Sequence, residues 1–261
     1  MNAESLLKQG DLEACQQQLF SEIRKDPSNV DLRIFLFQLS CITQDWKKAV
    51  NQLDVIKDMS DSAIPMVNTY QQLIECEQQR AAVFAGDKEP TCFGEPSEWL
   101  AYFVKAFQHA AKGEYEAAAG LINQGTEVAP ELAGKINEQD SFNWITDGDL
   151  RFGPVVEVIV NGSYYWLPLE NVTSIEFEPV EDLRDMVWRG AHVTLKNRGK
   201  LVVFLPVRYP ITAQTNDSQK LSRSCEWVEP VENFFIGQGQ RVFITDSNEH
   251  PMLNIEKLEL N

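Results

Sequence analysis

The stretch FNWITDGDLRFGPVVEVIVNGSYYWLPLE, residues 142–170, divides the chain. Before it, apolar residues recur with a helical period; after it, they come in short runs of the kind strands make. Val156, Val158 and Val160 alternate with Glu157 and Ile159, Asn161-Gly162 interrupts, and Tyr164, Tyr165, Trp166 and Leu167 follow. Asn-Gly tolerates the positive φ that a tight type I′ turn demands at both central residues. The aromatic and β-branched flanks suit strands. Residues 155–160 and 163–168 are therefore predicted to form a β-hairpin. Asp147-Gly148-Asp149 and Gly153-Pro154, just upstream, carry turn chemistry and read as the linker into it.

Downstream of the hairpin, further strands are expected at 172–178, 191–197, 200–206, 224–229, 240–245 and 252–258. Lys196-Asn197-Arg198-Gly199 reads as a second hairpin turn, and residues 181–185 as a short helical turn. With no long helical pattern among these runs, an antiparallel domain, barrel- or sandwich-like, is expected over 136–261.

Upstream, three motifs line up: Gly10-Asp11-Leu12-Glu13-Ala14, Gln44-Asp45-Trp46-Lys47-Lys48-Ala49 and Gly113-Glu114-Tyr115-Glu116-Ala117-Ala118. Leu12 precedes Trp46 by 34 residues, and Trp46 precedes Tyr115 by 69, close to two further periods. Pro27 and Pro130 each stand 15 residues after the bulky residue of their motif, where a proline stops a helix. The middle copy, around Met66 to Pro96, is degenerate. The spacing resembles the tetratricopeptide repeat and predicts helices near 2–9, 11–25, 29–43, 45–58, 62–85, 96–112 and 114–128, with a loop over 86–96. The fold class is thus α+β: a tetratricopeptide-like helical domain over 1–135, then the β domain. Stacked helix pairs leave a groove that can take a peptide or helix, unless the β half fills it. Phe35 and Trp46, on the helix period, read as core residues with partner binding as the alternative.

Composition narrows the function. The 261 residues carry 23 Lys and Arg against 39 Asp and Glu, a net charge of −16. The excess is spread evenly, 12 against 20 in residues 1–135 and 11 against 19 in 136–261. Without a basic stripe, nucleic-acid binding is not expected. No apolar run is long enough for a membrane helix, and the N-terminus lacks the pattern of a secretory signal. Five scattered cysteines fit reduced thiols in the cytoplasm.

No chemistry announces itself. His109, His192 and His250 lack metal-ligand spacing, no nucleophile elbow or phosphate loop is present, and no cofactor is expected. Gly237-Gln238-Gly239-Gln240-Arg241 reads as a turn leading into a strand. Asp147, Asp149 and Arg151 form the strongest polar cluster: either turn-capping aspartates with an arginine bridge, for instance to Asp140 or Glu157, or a carboxylate pair for a cation or for acid–base work. Arg184, Asp185 and Trp188, with Arg208-Tyr209, read as a buried bridge and stacking network, with an exposed partner surface as the alternative.

The C-terminal segments, in order, are FNWITDGDLRFGPVVEVIVNGSYYWLP, EDLRDMVWRGAHVTL, FLPVRYP, CEWVEP and GQGQR. Together with the helical region they resemble the ImpE (SciE, TagJ) family of type VI secretion accessory proteins. The resemblance implies a cytoplasmic, non-enzymatic factor that binds the N-terminal helix of the small contractile-sheath subunit (TssB or VipA). Through that subunit it would be linked to sheath disassembly by the AAA+ ATPase ClpV. The alternative is an enzyme using Asp147, Asp149, Arg151 and Arg208. The two differ in what they require: a deep pocket where those groups converge, or an apolar groove beside satisfied charges.

Overall fold

A computed structural model describes residues 2–95 and 97–261. Seven α-helices occupy the first half: α1 (Ala3–Gln9), α2 (Leu12–Lys25), α3 (Val30–Ile42), α4 (Trp46–Met59), α5 (Ile64–Phe84), α6 (Glu98–Ala111) and α7 (Tyr115–Val128). The expected start of the sixth at Pro96 lies outside the described residues. Local chemistry accounts for their ends. Asn2, Asp11, Asn29 and Asp45 each accept a hydrogen bond from a first-turn N–H, and α5 carries Pro65 in its first turn. Gly10 closes α1 in the left-handed conformation, and α2 and α7 stop just before Pro27 and Pro130.

The second half holds thirteen strands: β1 (Gly134–Ile136), β2 (Asp140–Phe142), β3 (Ile145–Asp147), β4 (Val155–Val160), β5 (Ser163–Pro168), β6 (Val172–Phe177), β7 (Trp188–Leu195), β8 (Lys200–Pro206), β9 (Cys225–Val231), β10 (Phe234–Gly239), β11 (Val242–Thr245), β12 (Glu249–Pro251) and β13 (Lys257–Leu260). A one-turn helix, α8 (Asp217–Lys220), interrupts them. Eight strands form one antiparallel sheet in the order β2-β1-β13-β6-β7-β8-β4-β5. Strands β12-β11-β3 form a second sheet, and β9 and β10 a two-stranded ribbon. The predicted β4–β5 hairpin is present, with Asn161 and Gly162 both at positive φ. The large sheet stays open: its end strands, β2 and β5, are not neighbours.

Several boundaries move. Strand β1 straddles residue 135, so the sequence-based division falls inside a strand. The run expected over 252–258 begins as a 3-10 turn, Met252–Asn254, and becomes strand only at Lys257. The expected turn at 237–241 is largely the end of β10. Turn residues Leu183–Met186 form the short helical turn expected there.

All six residues of β4 are buried, because its two faces meet different layers. Val156, Val158 and Val160 join the core of the strand half. Val155 and Ile159 join a core shared with every helix from α1 to α7. Strand-half residues Phe152, Tyr164, Trp166, Trp188 and Tyr209 belong to that shared core as well. The face that the helices turn inward is therefore covered by the protein's own strands, as in the edge-to-face contact of Phe107 with Trp166 and the tilted contact of Trp46 with Trp188.

Candidate functional site

The seam between the halves is held by buried charge. From α5, Arg80 donates to both oxygens of Glu157 on β4, at 2.8 and 3.0 Å, and to the Arg208 carbonyl at 2.9 Å. Arg241, just before β11, joins Glu157 to Asp147 at the end of β3. Tyr164 donates to Glu157 at 2.5 Å, and Tyr209 to Asp147 at 2.7 Å. Asp149 accepts from the Arg151 guanidinium at 2.8 Å and from the Gly237 N–H at 3.1 Å. Glu77, one turn before Arg80, accepts from the Trp188 indole at 2.8 Å. Glu77, Asp147, Asp149 and Glu157 are thus paired with Arg80, Arg151 and Arg241. Such a set is tolerable in an interior only because its members are paired and bonded.

Burial pushes the Asp147 carboxyl up to about 6, against the pull of Arg241. Burial would raise Glu157 too, but Arg80 and Arg241 outweigh it and hold the carboxyl below its ordinary value. A raised acid is what a general acid–base site needs. Asp147, however, is fully buried, and its two oxygens are engaged by Tyr209, the Asp149 N–H and Arg241.

The sequence-nominated residues lie as follows. Asp147, Asp149 and Arg151 come together, but Arg151 pairs with Asp149, not with Asp140 or Glu157. Asp140 sits exposed on β2, and Arg80 and Arg241 have taken Glu157. Arg208 points elsewhere. Its guanidinium donates to the Cys41 and Ile42 carbonyls at the end of α3, both at 2.8 Å, and to the Lys220 carbonyl. Burial pulls Arg208 down to about 10. The four groups of the enzyme alternative do not converge. Trp188, Arg208 and Tyr209 are buried in the seam and offer no surface to an outside partner. Trp46 is half-buried against Trp188, Phe35 packs on the shared core, and Arg184 pairs with Asp182 over the Tyr70 ring.

The sequence reading passed over Glu77, Arg80 and Arg241. The usable signal was a charged residue amid buried apolar neighbours: Glu77 and Arg80 share the α5 face of Leu73, Ile74 and Val83.

Several cavities open among the described residues; those at Phe93–Glu170, Leu12–Lys220 and Glu178–Phe204 have mixed polar linings, whereas two adjoining ones are mainly apolar. A cavity of about 370 Å³ lies between α6–α7 and β3, lined by Phe103, Ile122, Trp144, Leu150 and Pro154 among others. A second, of about 380 Å³, adjoins it through Trp144, Thr146 and Leu150, and is walled by Trp227, Phe235 and Ile244. Trp144, 39% exposed, stands between the two.

Comparison with known proteins adds to this geometry. The profile of the ImpE protein family matches residues 139–259. The type VI secretion system accessory component TagJ of Pseudomonas aeruginosa is 43% identical over 99% of this chain and 91% of its own length. The crystal structure of a Vibrio parahaemolyticus protein superposes with a TM-score of 0.88 at 22% identity, covering 99% of this chain and 97% of the other, and so shares the fold.

Proposed function

The chain belongs to the ImpE family, and from that premise we propose that it is an accessory component of a type VI secretion apparatus that works by binding, not by catalysis. Its partner on this reading is the N-terminal helix of the small sheath subunit (TssB or VipA), with the AAA+ ATPase ClpV reached through the sheath. It works in the cytoplasm, where its five unpaired cysteines stay reduced. The helical half is a degenerate tetratricopeptide-like array in which the β half has taken the position of a bound peptide.

The observation that carries this reading is the contrast between two sites. The charged groups an enzyme would use are sealed in the seam and bonded to one another. The adjoining cavities beside Trp144 are mainly apolar, as helix-in-groove recognition requires. Among the carboxyls only Asp147 has a pKa pushed up, and although it borders the second cavity its side chain is fully buried with both oxygens bonded.

The test is calorimetric titration of the full-length protein with a peptide of the small sheath subunit's N-terminal helix. Micromolar or tighter binding is expected. Absence of binding at high micromolar peptide would overturn the assignment of this partner.

A further inference from the structure

We propose that the outer edge of β9 is a docking site for an extended, basic segment of another protein, which adds to the β9–β10 ribbon as a third strand. The proposal goes beyond the sheath-helix reading, because an extended segment and a helix satisfy different groups.

The backbone of the ribbon shows which groups are free. Along a strand, alternate residues point their N–H and C=O to opposite edges. Strands β9 and β10 pair antiparallel, with Trp227 opposite Gly237 and Cys225 opposite Gly239. The Gly237 N–H turns away from β9 to Asp149, at 3.1 Å, and the Gly239 carbonyl turns away to accept from the Tyr209 N–H, at 2.9 Å. Both are therefore non-hydrogen-bonded pairs, and the N–H and C=O of Cys225 and Trp227 point away from β10. The far edge of β10 is filled by its own chain, where the Leu150 N–H also donates to the Phe235 carbonyl at 3.0 Å. The far edge of β9 is not. Among the described residues nothing bonds the outward groups of Cys225 and Trp227, and no residue of β9 is buried. A row of unpaired groups on an exposed edge is completed by an added strand. A helix, whose backbone groups bond within itself, does not complete it.

Side chains set the pattern of that strand. Trp227 faces the body of the protein: its ring packs on Tyr209, 6.2 Å between centroids, and lies so close over Gly148 that a Cβ there would meet it at 2.2 Å. Its neighbours Glu226 and Val228 are exposed. An added strand presents alternate residues to these two faces, so apolar residues suit the Trp227 side and polar ones the Glu226 side.

Charge selects the occupant. From Cys225 to Gly239 the ribbon carries Glu226, Glu229 and Glu232, all exposed, and no Lys or Arg. Arg223, just before it, is committed to the Leu7 and Lys8 carbonyls at the end of α1. Pairing β9 with β9 of a second copy would set glutamates beside glutamates on chains of net charge −16. A segment with Lys or Arg at alternate positions meets carboxylates instead.

The test uses the full-length protein and two end-blocked, fluorescein-labelled heptapeptides, one alternating Lys with Val, the other Glu with Val. In fluorescence anisotropy the Lys–Val peptide should bind, and the Glu–Val peptide at least tenfold more weakly. The pair Glu226→Lys with Glu229→Lys, both at exposed positions, should reverse that order, with circular dichroism and Tm verifying the fold. Backbone N-methylation of the Lys–Val peptide reads the geometry. Methyl groups on one alternate set of residues should cost at least tenfold, and on the other set little, because only one set turns its N–H to β9. Amide exchange by NMR reads the edge itself: the Cys225 and Trp227 N–H should exchange fast in the free protein and slow on adding the Lys–Val peptide. Binding of neither peptide, equal binding of both, or methylation losses without a period of two would overturn the proposal. So would slow exchange at Cys225 and Trp227 without peptide, whether constant, from a partner within the chain, or rising with protein concentration, from a second copy on the edge.

Discussion

Arg80→Met removes the one guanidinium that reaches from a helix of the first half to a strand carboxylate of the second. Methionine keeps most of the apolar stem, so the loss is mainly electrostatic. Glu157 loses two bonds, at 2.8 and 3.0 Å, and the Arg208 carbonyl loses its donor. Burial opposes the Arg80 charge, yet Glu157 and Glu77 more than offset it and raise its pKa above the usual arginine value. Removing one partner of a buried pair costs about 3–5 kcal/mol, and an orphaned buried carbonyl about 1–3 kcal/mol. Glu157 limits the damage by taking up a proton, so a loss of about 4 kcal/mol at pH 7 is expected. Against a typical domain stability of about 5–15 kcal/mol that is large. In the native protein Glu157 contributes stability present above the ordinary carboxylate range and lost as pH falls through its lowered value. The deficit of Arg80→Met should therefore be larger at pH 7 than at pH 4. Urea unfolding followed by circular dichroism at both pH values measures it. Adding Glu157→Gln should cost less than the two single losses together, since both variants remove the same Arg80–Glu157 interaction. A loss under about 1 kcal/mol, or one independent of pH, would refute the view that this pair holds the seam.

Two further outcomes follow from the same geometry. Asp147 binds its proton up to about pH 6 in the fold but only to about 3.9 unfolded, so its contribution to stability falls as pH rises between those values, by roughly 3 kcal/mol. Asp147→Asn removes that term, so urea midpoints should show the variant gaining on the native protein from pH 4 to pH 7. Gly153 adopts φ +61°, and a Cβ there would meet the Phe103 ring at 2.4 Å. Gly153→Ala should cost about 2–5 kcal/mol from backbone strain and overpacking together, measured by thermal unfolding.

What the sequence could and could not reveal follows from where the information sits. Helix ends were readable because Asp11, Asn29, Asp45 and the prolines act locally, through bonds to their own first turns or by lacking an N–H. The β4–β5 hairpin was readable because Asn161-Gly162 demands one backbone geometry. Strands β1, β2, β3 and β12 span three residues each, too few to show a period. Glu157 sits between valines, and alternation alone cannot say whether its face meets water or another layer. Only the packing of α5 against the sheet decides that, and with it the partner of Arg151. Trp144 lay in the decisive stretch, but an exposed tryptophan outside any periodic run has no pattern to mark it as a groove wall.

Hydrogen exchange of the full-length protein, with and without the sheath subunit's N-terminal helix peptide, tests the central claim most directly. The account predicts peptide-dependent protection over residues 122–131, 144–150 and 227–235, with little change in α3 and α4. Protection confined to the helical half between residues 12 and 59, or none at saturating peptide, would contradict it.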